Sequence, residues 1–471
     1  MVKNNNLSYV VLGLFLGDEG KGSITDYLVR KNNAKLVSRF NGGSQAGHSA
    51  AEMRGDYIVE FSFHQFGAGS LVPDVKTFLP NNLFIDPETV FREANGLKQI
   101  GVRVLNRLKI AESAKVIFPF NVMLNRMSEA ENNYSRGTVG RGVGDAVLDS
   151  ESGKSIFISD LLDPSIFERK LDALLPIKSK QFDELLENEL AKHVAKFFPQ
   201  ALNKEYLIKR YTQFGKLLEK NIVDSQYLAD YMSAGKNVVF EGAQGALLDK
   251  TFGFDPYITK TTVVLDSLKK VIDLDSFNRV HKIGVIRGYA TRHGHGPFVT
   301  ELLENELIDR LADKSTYSQW QGNFRVGWLD MLGIKYALSL SKKIDSLAVT
   351  NLDRLEDISP KVCLSYAYVG QQDKLDNYFE WNKLSADCAE ITGFKFPLTA
   401  GVDMAERTEI LLNCKPRVLK SFDSWGNICQ VTVKEDLPQE TVNYLNFISE
   451  SLNVPVEIVS VGPTAENKLT C

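Results

Sequence analysis

Leu7 to Leu16 is an almost unbroken apolar run rich in Leu and Val, and the pattern changes abruptly at Gly17. Such a run suits a strand buried on both faces. The Gly17-Asp18-Glu19-Gly20-Lys21-Gly22 stretch that follows reads as a loop, and Ser23–Lys31 has helical spacing. A second short strand is predicted over Lys35–Phe40, running into the glycine-rich Asn41-Gly42-Gly43-Ser44-Gln45-Ala46-Gly47-His48-Ser49. Further apolar runs lie at Val116–Phe120, Asn237–Phe240, Lys282–Tyr289, Ser346–Thr350, Lys361–Tyr368 and Val456–Val461. Helical patterns separate several of them. Strands alternating with helices predict an α/β protein built on a large central, mostly parallel sheet flanked by helices.

Two stretches depart from that alternation. Residues 164–235 are rich in Leu, Lys and Glu with helical periodicity, which predicts a helical excursion, and 357–439 has the composition of a smaller mixed lobe. No low-complexity linker, repeat or charge block divides the chain, so 1–471 is read as a single domain with these two subdomains.

Composition narrows the partners. The 471 residues are 44% hydrophobic and 24% charged, as in ordinary soluble globular proteins. A net charge of −4 supplies no electrostatic reason to expect nucleic acid or an anionic membrane. The five cysteines are scattered over the last quarter without a C-x-x-C pair, which fits a reducing cytoplasm. The first apolar run is too short to span a bilayer and carries no signal-type cleavage site.

The chemistry concentrates in glycine-rich loops. Gly17–Gly22 fails the Walker spacing, since Phe15 stands where the first glycine belongs. Its ingredients still suit a phosphate: free backbone N–H groups at Gly20 and Gly22, a helix N-terminus, and the point charge of Lys21. The plain alternative is a tight strand–helix turn with surface charges. Asp18 suits either Mg²⁺ or a base that accepts a proton from the group about to be phosphorylated. His48 is expected in a loop at the carboxyl end of a strand, where an imidazole donates to a phosphoryl oxygen during transfer. Gly137-Thr138-Val139-Gly140-Arg141-Gly142 reads as a second phosphate-facing loop with Arg141 as its charge. Gln244, in Phe240–Ala246, offers a carboxamide able to read a base edge, although a capping role fits the pattern equally. Asp353 follows the predicted strand Ser346–Thr350, where a carboxylate accepts from guanine, or simply caps a helix.

In this order the segments GDEGKG, GGSQAGHS, GTVGRGVG, FEGAQGALLD, DPYIT, GYATRHGHGPFVTEL, VGWLD, TNLD and SVGP resemble adenylosuccinate synthetases over nearly the whole chain. The resemblance implies a P-loop-related fold, a homodimer, and a GTP-dependent ligase that makes adenylosuccinate from IMP and aspartate with Mg²⁺. It implies Asp18 as the base at N1 of IMP and as a Mg²⁺ ligand, with the Gly47 carbonyl as a second metal contact. His48 is then the acid assisting phosphoryl transfer to O6, Lys21 a phosphate contact, and Gln244 the stabiliser of the 6-oxyanion. Gln45, Thr138, Arg141 and Thr259 fall at nucleotide positions, and Asn351, Asp353, Ser460 and Gly462 at guanine positions. Arg325 falls in the amino-acid loop.

The departures are uneven. Ser23, Ser44, Gln45, Val139 and Asn351 replace the family's Lys, His, Asn, Thr and Lys, and Lys154 stands beside the place of an arginine donated across the dimer. The family's T-T-G-R-x-R-R loop has become Gln319–Gly327 with Arg325 alone, and losing a bidentate Arg–carboxylate pair costs on the order of 2–4 kcal/mol. The expectation is a ligase with its phosphoryl-transfer residues kept, working on IMP or a close purine monophosphate with aspartate as the default amino acid. The alternatives are a divergent paralogue with an altered amino acid or (deoxy)purine nucleotide, and a non-synthetic purine-nucleotide sensor.

Overall fold

The computed structural model describes residues 7–133, 137–277, 279–312, 317–318, 320–398 and 402–470. Ten strands form the central sheet: β1 (Ser8–Gly13), β2 (Leu36–Arg39), β3 (Lys76–Leu79), β4 (Leu108–Ala111), β5 (Ile222–Val223), β6 (Val239–Gly245), β7 (Val280–Arg287), β8 (Ser346–Thr350), β9 (Val456–Ser460) and β10 (Lys468–Thr470). Their order is β10-β9-β8-β7-β1-β6-β2-β3-β4-β5, and every neighbouring pair is parallel except β9 with β10. This is the predicted α/β class.

The continuous apolar run of β1 follows from its central place. Val10 and Leu12 join one core, which also holds Met331, Ile334 and Ala337 of the helix Met331–Leu340; Tyr9 and Val11 join the core of Ile24 and Leu28 of α1 (Lys21–Lys31) on the other face. Both faces are covered, so no polar alternation survives. Strand order reverses around β1, with β7 on one side and β6 on the other, and such a switch point opens a crevice at the carboxyl ends of the strands.

Helices Pro164–Leu185, Glu189–Ala195 and Lys204–Leu218 follow β4 in the chain; the first two pack with the helix Pro119–Glu131, and Lys204–Leu218 packs on Pro164–Leu185. Strands Lys361–Val369, Phe379–Lys383, Cys388–Phe394 and Cys414–Ser421 pair antiparallel in a second sheet. Among the described residues, no helix is long and apolar enough to cross a membrane.

The run Val116–Phe120 is not one strand: the strand there is only Lys115–Val116, and a helix begins at Pro119. Pro119 is preset for a first helical position, and the Asn121 side chain accepts from Phe118 N at 2.8 Å, so capping chemistry overrides the apolar pattern. Strands β3, β4 and β5, of four, four and two residues, escape prediction; β2, also of four residues, is marked by the glycine-rich turn that follows it. His48 is not in a loop; it opens the hairpin strand His48–Arg54, which pairs with Tyr57–Phe63.

The end of β6 presses against the first loop. A Cβ at Gly245 falls 2.5 Å from Gly17 N and Glu19 Oε1, and closer still to the Phe15 carbonyl. Gly245→Ala is therefore expected to lower stability by about 1–3 kcal/mol, read as a lower urea midpoint with an unchanged slope.

Candidate functional site

The loop after β1 sends its two adjacent acids, Asp18 and Glu19, to different surroundings. Gly17 (φ 94°), Asp18 (φ 59°) and Gly20 (φ 85°) turn the chain through the left-handed region, which sends successive side chains in opposite directions. Glu19 points inward and is buried, its carboxylate accepting from Phe15 N at 3.1 Å and Gly17 N at 2.8 Å. Its other oxygen takes the buried Lys21 ammonium at 2.5 Å. Asp18 points outward: its carboxylate is 39% exposed and stands 3.5 Å from His293 Nε2. Its carbonyl accepts from Arg287 at 3.2 Å, and the Glu19 carbonyl accepts from Thr350 Oγ1 at 2.7 Å. The loop is thereby tied to the ends of β7 and β8.

His48 stands beside the end of β6. Its Nδ1 meets Glu241 Oε1 at 2.6 Å, and the other Glu241 oxygen accepts from Ala68 N at 3.0 Å. Nε2 is buried without a hydrogen-bond partner. Burial pushes the imidazole down to about 4, against the pull of Glu241. Burial also opposes a charged Glu241, but His48, Arg39 and the Ala68 amide hold its carboxyl below the usual range. The resting site thus holds an ionised Glu241 and a neutral imidazole with its Nδ1–H directed at it.

Around His48 the polar atoms of the strand ends are poised without partners. Gln244 sits at φ 62° with Oε1 buried and unbonded, and both amide atoms of Gln45 and the hydroxyl of Ser44 are in the same state. Buried polar atoms of this kind need a partner, which a bound polar ligand supplies. Gly47 is exposed, and His64 packs against it so that a Cβ there falls 3.1 Å from the ring. Burial, with Arg141 and Arg39 nearby, takes His64 down to about 4.

A turn behind these groups is held from two sides. Buried Arg39 donates to the carbonyls of His64 (2.6 Å), Ala46 (3.2 Å) and Phe63 (3.3 Å). Glu93 accepts from the backbone of His64, Gln65 and Phe66 at 3.1, 2.8 and 3.1 Å.

The opposite rim is the Gly137–Gly142 loop. The Thr138 hydroxyl accepts from Asn125 at 3.4 Å, and half-buried Arg141 has neither hydrogen bond nor ion pair among the described residues. Gly137 approaches Gly294 and the Gln321 carbonyl, bringing the loop to the hairpin of Ala290–His293 and Gly322–Gly327. Arg325 in that hairpin is engaged within the chain. It pairs bidentately with Glu301 through Nε (2.7 Å) and a terminal nitrogen, and donates to Gly294 and Gly296 carbonyls at 3.0 Å each. Arg292 is buried against the carbonyls of His295 and Pro297, and burial takes it down to about 9. Gln319 lies outside the described residues. Thr259 is half-buried, its hydroxyl 3.2 Å from that of Thr261.

A third group lies at the ends of β8 and β9. Asn351 takes the left-handed conformation (φ 58°) and places Asp353 in a short 3₁₀ turn, so Asp353 is not an N-cap. Burial pushes the Asp353 carboxyl up, against the pull of Lys468. Lys468, itself taken down to about 8 by burial, donates to the carbonyls of Gly462 (2.7 Å) and Thr464 (2.8 Å), and Ser460 Oγ donates to Gly462 at 3.1 Å.

Glu19, Glu241, His64, Arg39, Glu93 and Lys468 were not singled out from the sequence. Glu19 and Glu241 did carry a signal, a carboxylate directly before a glycine in or just after an apolar run; the others carried none.

A parallel sheet with glycine loops, a carboxylate, a lysine and a carboxylate-held histidine at its switch point defines an α/β enzyme handling nucleotide phosphates. The adenylosuccinate synthetase family model matches residues 10–469. The adenylosuccinate synthetase of Clostridium botulinum (strain Alaska E43 / Type E3) is 31% identical, and that of Clostridium novyi (strain NT) 32%, each alignment covering 98% of both chains. Fully ligated adenylosuccinate synthetase from Plasmodium falciparum superposes with a TM-score of 0.79 at 23% identity, covering 99% of this chain and 100% of that one. The cyanophage S-2L succinoaminodeoxyadenylate synthetase, bound to dGMP and dATP, superposes at 0.58 with 13% identity, covering 99% and 95%. The chain belongs to the adenylosuccinate synthetase family. It is a GTP-dependent ligase of purine biosynthesis that forms a carbon–nitrogen bond.

Glu93 supplies a pH test of the turn behind His48. Burial outweighs its three N–H donors and takes its carboxyl from 4.5 to about 7. Between those values the folded state binds more protons than the unfolded, so this contribution to stability falls as pH rises. Relative to Glu93→Gln, the wild type is expected to lose up to about 3 kcal/mol from pH 4.5 to 7, measured by urea unfolding across that range.

Proposed function

We propose that the enzyme transfers the γ-phosphoryl of GTP to O6 of IMP, or of a close purine monophosphate, and then joins an amino acid at C6. The observation that carries this reading is the His48–Glu241 pair, which leaves a buried, unpartnered Nε2 beside the phosphate loop. A binding protein has no use for an imidazole held in one tautomer by a carboxylate.

Asp18 takes the N1 proton of the purine as O6 attacks phosphorus and the bond to GDP breaks. Anionic phosphate oxygens arriving beside His48 favour its imidazolium, so Nε2–H then donates to the transferring group while Glu241 holds Nδ1–H. Lys21 and the amides of Gly20 and Gly22 hold phosphate, and Gln244 donates to the 6-oxyanion. Gln45, Thr138, Arg141 and Thr259 hold the acceptor nucleotide; Asn351, Asp353, Ser460 and Gly462 hold guanine.

Mg²⁺ fits the residues present. Asp18 offers one part-exposed carboxylate and Gly47 an exposed backbone position, and Mg²⁺ binds through few protein oxygens together with phosphates and water. When bound, it neutralises charge on the phosphate oxygens.

The amine nitrogen then forms a bond to C6 and loses a proton to solvent, while the C6–O6 pair leaves on inorganic phosphate. Aspartate is the first candidate. Arg325 serves it only through the charge left over from the Glu301 pair, so aspartate affinity is expected to be weak. We place the enzyme in the cytoplasm as a homodimer.

GDP and phosphate release with GTP, Mg²⁺ and a panel of purine monophosphates and amino acids tests the reading, with the mass of the adduct as a second readout. Turnover independent of any purine monophosphate rejects it. Asp18→Ala is expected to lower kcat by about 10²–10⁴-fold and to leave monophosphate binding within threefold. Near-normal turnover in this variant rules out Asp18 as the base.

A further inference from the structure

The Gly137–Gly142 loop is held almost wholly by one helix. From Pro119–Glu131, Asn125 Oδ1 accepts from Gly142 N at 3.2 Å and its Nδ2 meets Thr138 Oγ1, while Glu129 accepts from Gly137 N at 2.8 Å. Arg126 Nε donates to the Gly140 carbonyl at 2.8 Å, which sets its guanidinium at the middle of the loop. The guanidinium carbon lies 4.8 Å from the Trp320 ring centre and 5.4 Å from that of Phe198, so the plane is held between two aromatic side chains.

That placement has an electrostatic consequence. Arg141 follows Gly140 directly, and neither Arg126 nor Arg141 forms an ion pair with a carboxylate among the described residues. Both are half-buried, and each is pushed toward losing its proton by burial and by a neighbouring guanidinium: Arg141 acts on Arg126, and Arg92 acts on Arg141. Two part-buried like charges, neither in an ion pair among the described residues and with Asp86 acting on Arg141 only from beyond ion-pair distance, are a cost that an anion offsets. Elsewhere in the site the arginines are engaged, Arg325 by Glu301 and Arg292 by carbonyls. The side chain of Lys260, next to Thr259, passes Gly144 in the helix that follows the loop, where a Cβ would fall 3.4 Å from its Cγ.

We propose that Arg126 is a phosphate-binding residue and that, with Arg141, it receives the 5′-phosphate of the acceptor purine monophosphate. A phosphate monoester dianion matches the two positive charges, and Arg126 has terminal N–H donors left after Nε is spent on Gly140. Val139, between the two anchored ends of the loop, has no hydroxyl to donate, and Arg126 supplies donors from the helix instead. The role of the acceptor's phosphate rests on the ligase reading above, but binding is measured without turnover, so the two stand or fall separately.

Titration calorimetry with IMP and with inosine, which lacks only the phosphate, tests the assignment. Wild type is expected to bind IMP at least 100-fold more tightly than inosine. Arg126→Met is expected to reduce that ratio at least tenfold, with inosine binding unchanged. Arg126→Lys, which keeps the charge but not the Gly140 anchor, is expected to retain at least a third of the wild-type ratio. In steady state the Met variant is expected to raise KM for IMP tenfold or more with kcat and KM for GTP within threefold. An equal loss for IMP and inosine, or identical losses in the Met and Lys variants, overturns the proposal, because either result makes Arg126 a loop anchor only. A variant ratio equal to wild type also overturns it. Absence of turnover alongside the expected binding ratios rejects the proposed reaction on IMP and leaves the phosphate site standing.

Discussion

The site is organised around one buried ion pair, Glu19 with Lys21, at the carboxyl end of the central strand. Its carboxylate closes the first loop by taking two backbone amides and the ammonium, and its backbone carbonyl is taken by Thr350 from β8. Breaking one partner of such a pair leaves a charge stranded in a dry site, at a cost of about 3–5 kcal/mol. The pair therefore does more for the geometry of the loop than for net stability. It allows Asp18, one residue away, to face outward with its part-exposed carboxylate 3.5 Å from His293. The two adjacent acids differ in their surroundings: Glu19 is buried and shapes the loop, whereas Asp18 is part-exposed.

Most positions in the site are set from a distance. Glu93 holds the backbone of residues 64–66, the same turn delivers the Ala68 amide to Glu241, and Glu241 fixes the tautomer of His48. On the other rim the helix Pro119–Glu131 holds Gly137–Gly142 at both ends and in the middle, and Phe198 from the segment between β4 and β5 packs on Arg126. The helical excursion 164–235, which carries no candidate site residue in its sequence, thus reaches the Gly137–Gly142 loop through Phe198 and Arg126. The glycines permit the loops; buried side chains from other elements decide where they stand.

The fold was largely legible because central parallel strands are buried on both faces and leave a plain signature. Ser346–Thr350 needed no correction, and β1, β7 and β9 lie within the apolar runs to a residue or two. The short outer strands were not legible, since a few residues cannot establish a period, and Val116–Phe120 misled because Pro119 and Asn121 start a helix there. Among the candidate site residues, those inside glycine-rich loops carry a local mark, because glycine there lets the backbone turn tightly and approach a ligand. Arg126 and Glu93 were missed because each sits on an ordinary amphipathic helix, where an arginine or a glutamate carries no local mark.

By itself the sequence determined the family, the class of fold and the residue types at the phosphate loops, because these depend on local backbone freedom and on apolar periodicity. Only the tertiary structure decided how charges are spent. Glu241 meets His48 across 193 positions, and Arg325 is neutralised by Glu301 rather than standing as an open cation. Arg141 acts on the charge of Arg126, and neither forms an ion pair with a carboxylate among the described residues. Whether a charge is free or committed depends on what other strands and helices bring within hydrogen-bond reach in a low-dielectric site, and no spacing along the chain records that distance.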